Sequence, residues 1–346
     1  MKIYHLLAKQ PILKPISGDK INEINFLKAL STFAEVYYNN QLFLPDEPDF
    51  GLDAEEIYEP MEGCDIYYVR NNIEVFEKIK GRKIWFSYPY DEEGFRTADA
   101  VSTFNLAWKQ GLHTFHQDPS RYDFFCDAFP KNMIEPNGVI NVKQVLGDHF
   151  EAKHGTHLHF RYKACFGYGF TIGYFGRIVE ETLPKDYLSI IDDLKSEISN
   201  LNTVFAGSIR VPLEEQSIIN VKYIPFEEMP YATSACDILL ANEQPEANWA
   251  GSAKPLEAMA CGVPIIVSKR PARVNQLGED YPLYYASPQE LKELILKLYK
   301  DSAFYKEVQS TLIAKAKAFY PEQIAGYLKQ ELEAFIAENP TESRLK

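Results

Sequence analysis

Several things are missing from this sequence, and each absence removes a class of function. No Cys-x-x-Cys pair occurs: the five cysteines, Cys64, Cys126, Cys165, Cys236 and Cys261, stand apart from one another. An odd, unpatterned set offers no disulfide framework and reads as reduced thiols, the pattern of the cytoplasm. Cys236 and Cys261 sit among apolar neighbours, which assigns them to a core. No apolar run approaches a membrane span, and the opening MKIYHLLAKQPILKP has too short an apolar run for a signal peptide. The expected location is the cytoplasm, with any membrane contact peripheral. There is no long basic run either; the net charge is -13 and is spread over both halves. Nucleic acid requires clustered Lys and Arg against its phosphates, so it is not the main partner, although a local cationic pocket for one diphosphate stays open.

Familiar chemistry is absent as well. No Gly-x-Gly-x-x-Gly follows the first strand, no Gly-x-x-x-x-Gly-Lys-Ser/Thr loop occurs, and no Gly-x-Ser-x-Gly elbow occurs. A dinucleotide oxidoreductase, a P-loop enzyme and an α/β-hydrolase are thereby disfavoured. HGTHLHF sets His157 and His159 on one face of an expected strand, with His154 nearby. No Cys, Asp or Glu cluster completes a metal set there, so the segment reads as a junction and no metal site is expected. Asp192 and Asp193 fall in the middle of an expected helix and form no convincing metal pair. The 22 Tyr and 22 Phe are read as packing.

What is present is alternation. With 346 residues, 46% of them hydrophobic, the chain suits two domains of roughly 170 residues each. In the N-terminal half KIYHLLA, AEVYYNN, CDIYYVR, RKIWFSYPY and the start of ADAVSTFNLAWKQGL read as strands. INEINFLKALSTF reads as a helix with a stripe of Ile24, Leu27, Leu30 and Phe33. NNIEVFEKIK reads as a short helix, and Pro45 to Glu62 as an exposed acidic loop. A second series starts near Tyr168: the strand FTIGYFGR ending at a glycine, the helix PKDYLSIIDDLKSEI, the strands NTVFAGS and NVKYIPF, the short helix EEMPYATSA and the strand CDILLAN. Near the end SPQELKELILKLYKD forms a helix capped by Ser287. The fold class is α/β, with two Rossmann-like, doubly wound parallel sheets in series. Residues 1–160 form the first domain, 161–325 the second, and 326–346 a C-terminal helix and tail, with the junction between Asp148 and Tyr168.

In open α/β sheets, ligands lie beyond the carboxyl ends of the strands. Four loops qualify. PISGDK carries Gly18, which lets backbone approach a ligand closely. GYFGRIVEE carries Gly176 at the strand's end and Arg177 at its tip, where a planar fork suits a diphosphate. SAKPLEAMACGVPIIVSK reads as a short helix with Pro255 at its first position, stopped by Gly262 and Pro264 and followed by a buried strand. Lys254 and Glu257 then stand at a helix N-terminus, where free N–H groups and a partial positive charge favour phosphate. A glutamate there can bridge two neighbouring hydroxyls, as on a ribose, and on a helix otherwise small and apolar it needs a partner. The fourth loop, SYPYDEEGFR, offers Tyr90 and Asp91.

FTIGYFGRI, VFAGS, CDILLA and KPLEAMACGVPIIVS, in that order and spacing, resemble the C-terminal domain of GT-B glycosyltransferases of family 4. The resemblance covers Tyr168 to about Leu328; the N-terminal half resembles the family only in layout, through its early loop glycine, ADAVSTFNLAWKQGL and IEPNGVI. It implies two domains facing a cleft, with C-terminal helices crossing back. It also implies a retaining transfer of sugar from a nucleotide diphosphate sugar to a glycan, lipid-linked or other hydroxyl acceptor, without an essential metal or other cofactor. Carried over by position, Arg177 holds the diphosphate, Glu257 the ribose hydroxyls and Lys254 faces the phosphates. Gly18 approaches the donor phosphate, and the base rests against the YIPFEEM loop at Pro225. Gly176 and Ser252 complete the donor-binding set, and Arg177, Lys254 and Asp91 are the catalytic candidates.

The chain departs from the pattern at three places. The family's Glu-x7-Glu is interrupted, since Trp249 stands eight residues before Glu257, with Glu246 nearby. Thr182 occupies the place of a lysine five residues after the arginine, leaving Lys185 or Lys254 to supply that charge. YPYD stands where a His-Asp pair is common. Two other readings follow from these departures: a GT-B partner subunit that binds sugar or nucleotide without chemistry, and a sugar-nucleotide epimerase.

Overall fold

A computed structural model of the chain describes residues 1–6, 27–38, 55–56, 61–69, 79–87, 100–103, 134–135, 138–139, 155–184, 186–212, 218–225, 228–242, 253–319 and 321–340. Gly18, Asp91, Lys185, Glu246, Trp249 and Ser252 lie outside these residues. The chain divides into two compact units, Met1–Phe129 with Tyr320–Lys346, and Pro130–Phe319. Among the described residues, no helix is long and apolar enough to cross a membrane.

The first unit is built on a parallel sheet of β1 (Lys2–Leu6), β2 (Glu35–Tyr38), β3 (Glu55–Glu56), β4 (Ile66–Val69), β5 (Lys83–Ser87) and β6 (Ala100–Thr103). Its order is β3-β2-β1-β4-β5-β6. β1, β2, β4 and β5 are rich in β-branched and aromatic residues, as a sheet covered on both faces requires. Tyr4 on β1 pairs with Tyr37 and Tyr67 on its two neighbours, and Ile3, Tyr4, Ile66, Tyr68 and Ile84 are fully buried. Two expectations are corrected. The acidic stretch from Pro45 to Glu62 is not loop throughout, because Glu55–Glu56 pairs with Tyr37 and Tyr38 as the edge strand; an edge, paired on one side only, tolerates charge. The helix at 27–31 buries Leu27 and Leu30, but Phe33 lies in the turn beyond it and is only half-buried.

The C-terminal helix Pro321–Glu338 belongs to this first unit. Arg82, itself buried, donates from Nε to the carbonyl of Asn339 at 2.6 Å and from Nη1 to the carbonyl of Asp65 at 3.3 Å. A cation on the carbonyls at a helix C-terminus both satisfies them and meets the negative end of the helix dipole.

The second unit opens with a small antiparallel pair, β7 (Ile134–Glu135) and β8 (Gly138–Val139). Helix α1 (Gly155–Phe166) follows. This overturns the expected strand at HGTHLHF, because residues 155–160 lie in the helix. His159, Tyr162 and Phe166, spaced three and four apart, form its buried stripe. The main sheet comprises β9 (Phe170–Ile178), β10 (Leu201–Ile209), β11 (Ile219–Val221), β12 (Ile238–Ala241), β13 (Ile265–Ser268) and β14 (Tyr284–Tyr285). Its order, β11-β10-β9-β12-β13-β14, repeats that of the first sheet, with the first strand central and the order reversing beside it. β11 stops at Val221, short of the expected NVKYIPF. β9 does not end at Gly176 either; it pairs with β10 as far as Ile178 with Ile209.

Helices α2 (Tyr187–Glu197), α3 (Met229–Ser234), α4 (Ala253–Cys261), α5 (Pro271–Leu277), α6 (Pro288–Lys300) and α7 (Ser302–Ala316) complete the unit. α4 begins at Ala253, so Pro255 occupies its third position rather than its first; a missing N–H is still harmless in the first turn. α4 ends where Gly262 donates to Met259 O at 3.1 Å and Val263 to Ala258 O at 2.9 Å, the paired closure of a Schellman motif. Leu256 and the run Ala258–Cys261 are buried, and so are Cys236 and Cys261 as expected. Ser287 caps α6 by accepting from the Glu290 amide at 3.2 Å. A knot at the amino ends of the strands ties α1 to the sheet. Lys163 pairs with Asp237 at 3.1 Å, Asp237 accepts from the Thr171 amide at 2.8 Å, and Tyr305 on α7 donates to the Asp237 carbonyl at 2.8 Å.

Candidate functional site

The order of the second sheet reverses between β9 and β12, and the carboxyl ends of these two strands flank the crevice where a doubly wound sheet takes its ligand. β9 arrives with Gly176, Arg177 and Ile178, β12 with Ala241 and then Asn242. Gly176 pairs with Gly207, and both take positive φ, +113° and +120°. The two strands thus stay paired through a backbone conformation that other residues rarely adopt. Arg177 follows with its side chain exposed.

Lys254, in the first turn of α4, comes to the same place. A Cβ built on Gly176 would lie 3.2 Å from its Cε and 3.7 Å from its Nζ. Its ammonium stands over the ring of Tyr174, 5.3 Å from the centroid. Tyr174 is fully buried, and its hydroxyl donates to the carbonyl of Thr182 and lies 3.4 Å from the carbonyl of Asn242. Glu257, one turn further along α4, is half-buried. Thr182, at the place of the missing lysine, is structural: its hydroxyl accepts from the Val179 amide at 3.1 Å and closes the turn Glu180–Thr182. Of the two lysines proposed to supply the charge, Lys254 is the one whose position is described.

Sequence reasoning missed a second group at the ends of β12 and β13. Arg270 donates from Nε to Ser268 Oγ at 2.9 Å and reaches Asn242 Oδ1 at 3.4 Å, and the Ser268 hydroxyl meets the same Oδ1 at 3.2 Å. Burial pushes the Tyr285 phenol well up, nearby Tyr174 adds to this, and Arg270 opposes it. Nothing in the run SKRPAR marks Arg270 out from Lys269 or Arg273; only the fold selects it.

Pro225 lies beyond the end of β11, two strands from β9, and its carbonyl accepts from the Glu228 amide at 3.0 Å. Glu228 in turn accepts from Arg161 and Tyr162 on α1. Burial and the Glu228 hydrogen bond push the Tyr162 phenol up to about 12. The structure therefore brings Lys254 to Gly176, with Arg177 next along β9, sets Glu257 on the same helix as Lys254, and places Pro225 apart. Lys254 and the N-terminal turn of α4 meet the carboxyl end of β9, an arrangement suited to an anion. Among the described residues, no group of three His, Cys, Asp or Glu is placed to hold a metal ion.

Solved structures share this architecture over nearly the whole chain. HepE from Anabaena, in complex with UDP and glucose, is 15% identical with a TM-score of 0.63, covering 96% of this chain and 99% of its own. Sucrose-phosphate synthase from Thermosynechococcus elongatus is 12% identical with a TM-score of 0.65, covering 98% and 100%. An E. coli structure named for trehalose-6-phosphate and bound with UDP-2-fluoro glucose is 10% identical with a TM-score of 0.63, covering 96% and 99%. The chain has the GT-B fold. Within it, residues 169–301 match the family model Glycosyl transferases group 1. That segment holds Gly176, Arg177, Lys254 and Glu257. Among curated proteins, no sequence match emerges.

Proposed function

We propose that the protein transfers a sugar from a UDP-sugar to a hydroxyl of a glycan, lipid-linked or other acceptor, with retention at the anomeric carbon and without a metal. The observation that carries this reading is the meeting of Lys254 with Gly176 at the end of β9, beside Arg177, at the point where the sheet order reverses. The UDP and UDP-sugar ligands named for the HepE and E. coli structures support the choice of uracil as base.

In the reaction, the bond from the anomeric carbon to the diphosphate breaks while the acceptor oxygen bonds to the same carbon, and the acceptor's hydroxyl proton passes to the departing diphosphate. Negative charge grows on the departing diphosphate. Arg177 grips it with a planar fork, Lys254 adds a point charge, and the first N–H groups of α4 add fixed dipoles. Groups held in place before reaction stabilise developing charge without reorganising, which is where such a site gains its rate. Glu257 accepts from the two ribose hydroxyls and sets the register of the nucleotide. Two fixed cations take the part that a bound metal plays elsewhere.

The test is a thermal-shift screen with UDP, GDP, ADP, CMP and dTDP on the wild type and on Glu257→Ala, followed by an assay of UDP release from UDP-sugars with and without chelator. A ligand that binds the folded state alone raises its melting temperature. The expected result is a rise with UDP, abolished by Glu257→Ala, and chelator-resistant turnover that depends on acceptor. A rise without turnover would leave a binding subunit; sugar change without acceptor would make it an epimerase; no rise with any nucleotide would remove the donor site.

A further inference from the structure

Resting on the reading of Lys254 as a diphosphate cation, we propose that Tyr174 is its positioning residue: an aromatic shelf that holds the ammonium at the strand end before the donor arrives. Lysine is a poor fixed charge by itself, a compact ammonium on a four-carbon stem with many rotamers. Here the side chain has two fixed neighbours on β9. The Tyr174 ring attracts the ammonium from 5.3 Å, within the range of a cation–π contact. The Gly176 backbone passes close enough that one added methyl would press on Cε at 3.2 Å.

The shelf cannot swing aside. Tyr174 is fully buried, and its ring leans on Phe205 at 5.7 Å, which is stacked in turn on Tyr187 at 5.9 Å. Its hydroxyl is tied to the carbonyl of Thr182 and reaches that of Asn242 at 3.4 Å. The turn at Glu180–Thr182 and the end of β12 thus hold the ring from one end while its face meets the ammonium. A ring face attracts a cation without cancelling its charge. Holding a charge in its bound position beforehand removes part of the ordering cost from ligand binding.

The experiment keeps the ring's shape and drains its face. Phenylalanine, then phenylalanines carrying one, two and three ring fluorines, replace Tyr174, and binding of UDP and of uridine is measured by calorimetry for each, in the wild-type and the Lys254→Met backgrounds. Uridine lacks the diphosphate and reports packing alone. The expected result is UDP affinity falling with each fluorine, roughly three- to tenfold over the series, with uridine affinity constant and the trend gone in Lys254→Met. UDP affinity flat across the series, or a fall shared equally by uridine, or one persisting in Lys254→Met, overturns the shelf alone. UDP failing to bind the wild type, or binding Lys254→Met as tightly as the wild type, overturns the parent reading and the shelf with it. Tyr174→Phe separates the hydroxyl tie: its UDP affinity stays within about threefold of the wild type if the ring face dominates, and a larger loss than that of the full fluorine series assigns the effect to the hydroxyl and rejects the shelf.

Discussion

Gly176 and Gly207 oppose each other across β9 and β10, and a Cβ on Gly207 would stand 2.3 Å from the Gly176 carbonyl oxygen. Backbone is what it would strike, and backbone in a paired strand cannot yield. The relationship is one-sided, because a Cβ on Gly176 meets only the end of the Lys254 side chain, a flexible group.

The two alanine substitutions should therefore separate stability from binding. Both carry the strain of a positive φ, of order 1–3 kcal/mol. Gly207→Ala adds the backbone clash and should lower the urea midpoint by more than Gly176→Ala. Gly176→Ala should instead displace Lys254 and cost more in UDP affinity per unit of stability lost. Equal losses in both properties for both variants would contradict this division.

For Glu257 the discriminating ligand is UDP lacking both ribose hydroxyls. Each hydrogen bond to a charged group contributes about 1.5–3 kcal/mol. Wild type should bind UDP much more tightly than the dideoxy analogue, and Glu257→Ala should bind the two alike, each near the wild-type affinity for the analogue. A variant that still tells them apart would move the ribose contact to another residue.

Much of this arrangement was legible in the residues. The alternation of apolar runs points to two doubly wound sheets, and the segments around Gly176 and Lys254 stand out in the sequence by themselves. The misreadings have local causes. HGTHLHF alternates in a way that suits a strand, yet its buried set, His159, Tyr162 and Phe166, has helical spacing that emerges only when the window extends to Phe166. Glu55–Glu56 carries no strand propensity and is recruited by the free edge of β2. Tyr174 was one of 22 tyrosines, and Lys254 lies 80 positions away, so nothing short of the packed sheet pairs them. Arg270 was invisible for the same reason, its partners Asn242 and Ser268 being brought together by adjacent strand ends.

Arg177 should act in the transition state more than in the ground state. If charge grows on the diphosphate as its bond to the sugar breaks, removing the guanidinium loses an interaction that strengthens on the way to the barrier. Arg177→Ala should then lower kcat by a larger factor than it raises the dissociation constant for UDP-sugar. Single-turnover rates set beside equilibrium binding make the comparison. Equal factors would reduce Arg177 to a binding residue.

Alkaline pH should unfold the second unit in a way its tyrosines dictate. Burial raises the phenols of Tyr187, Tyr281, Tyr284 and Tyr285 above the ordinary 10.0, and Tyr162 to about 12. Above pH 10 the unfolded chain releases protons that the folded chain keeps. The folded state then binds more protons, and stability falls as pH rises. The contribution of each tyrosine is whole below pH 10 and, for Tyr162, is lost by about pH 12. Tyr187 offers the cleanest check, since its hydroxyl is buried and meets no hydrogen-bond partner among the described residues. Tyr187→Phe removes that unpaired group and should raise the urea midpoint at pH 7, by up to about 1–3 kcal/mol in stability. Between pH 10 and 11.5 the variant should also lose stability more slowly, by about 1.4 kcal/mol per pH unit. A destabilised variant at pH 7 would mean that the hydroxyl has a partner after all. An unchanged alkaline slope would mean that Tyr187 keeps an ordinary pKa in the folded protein.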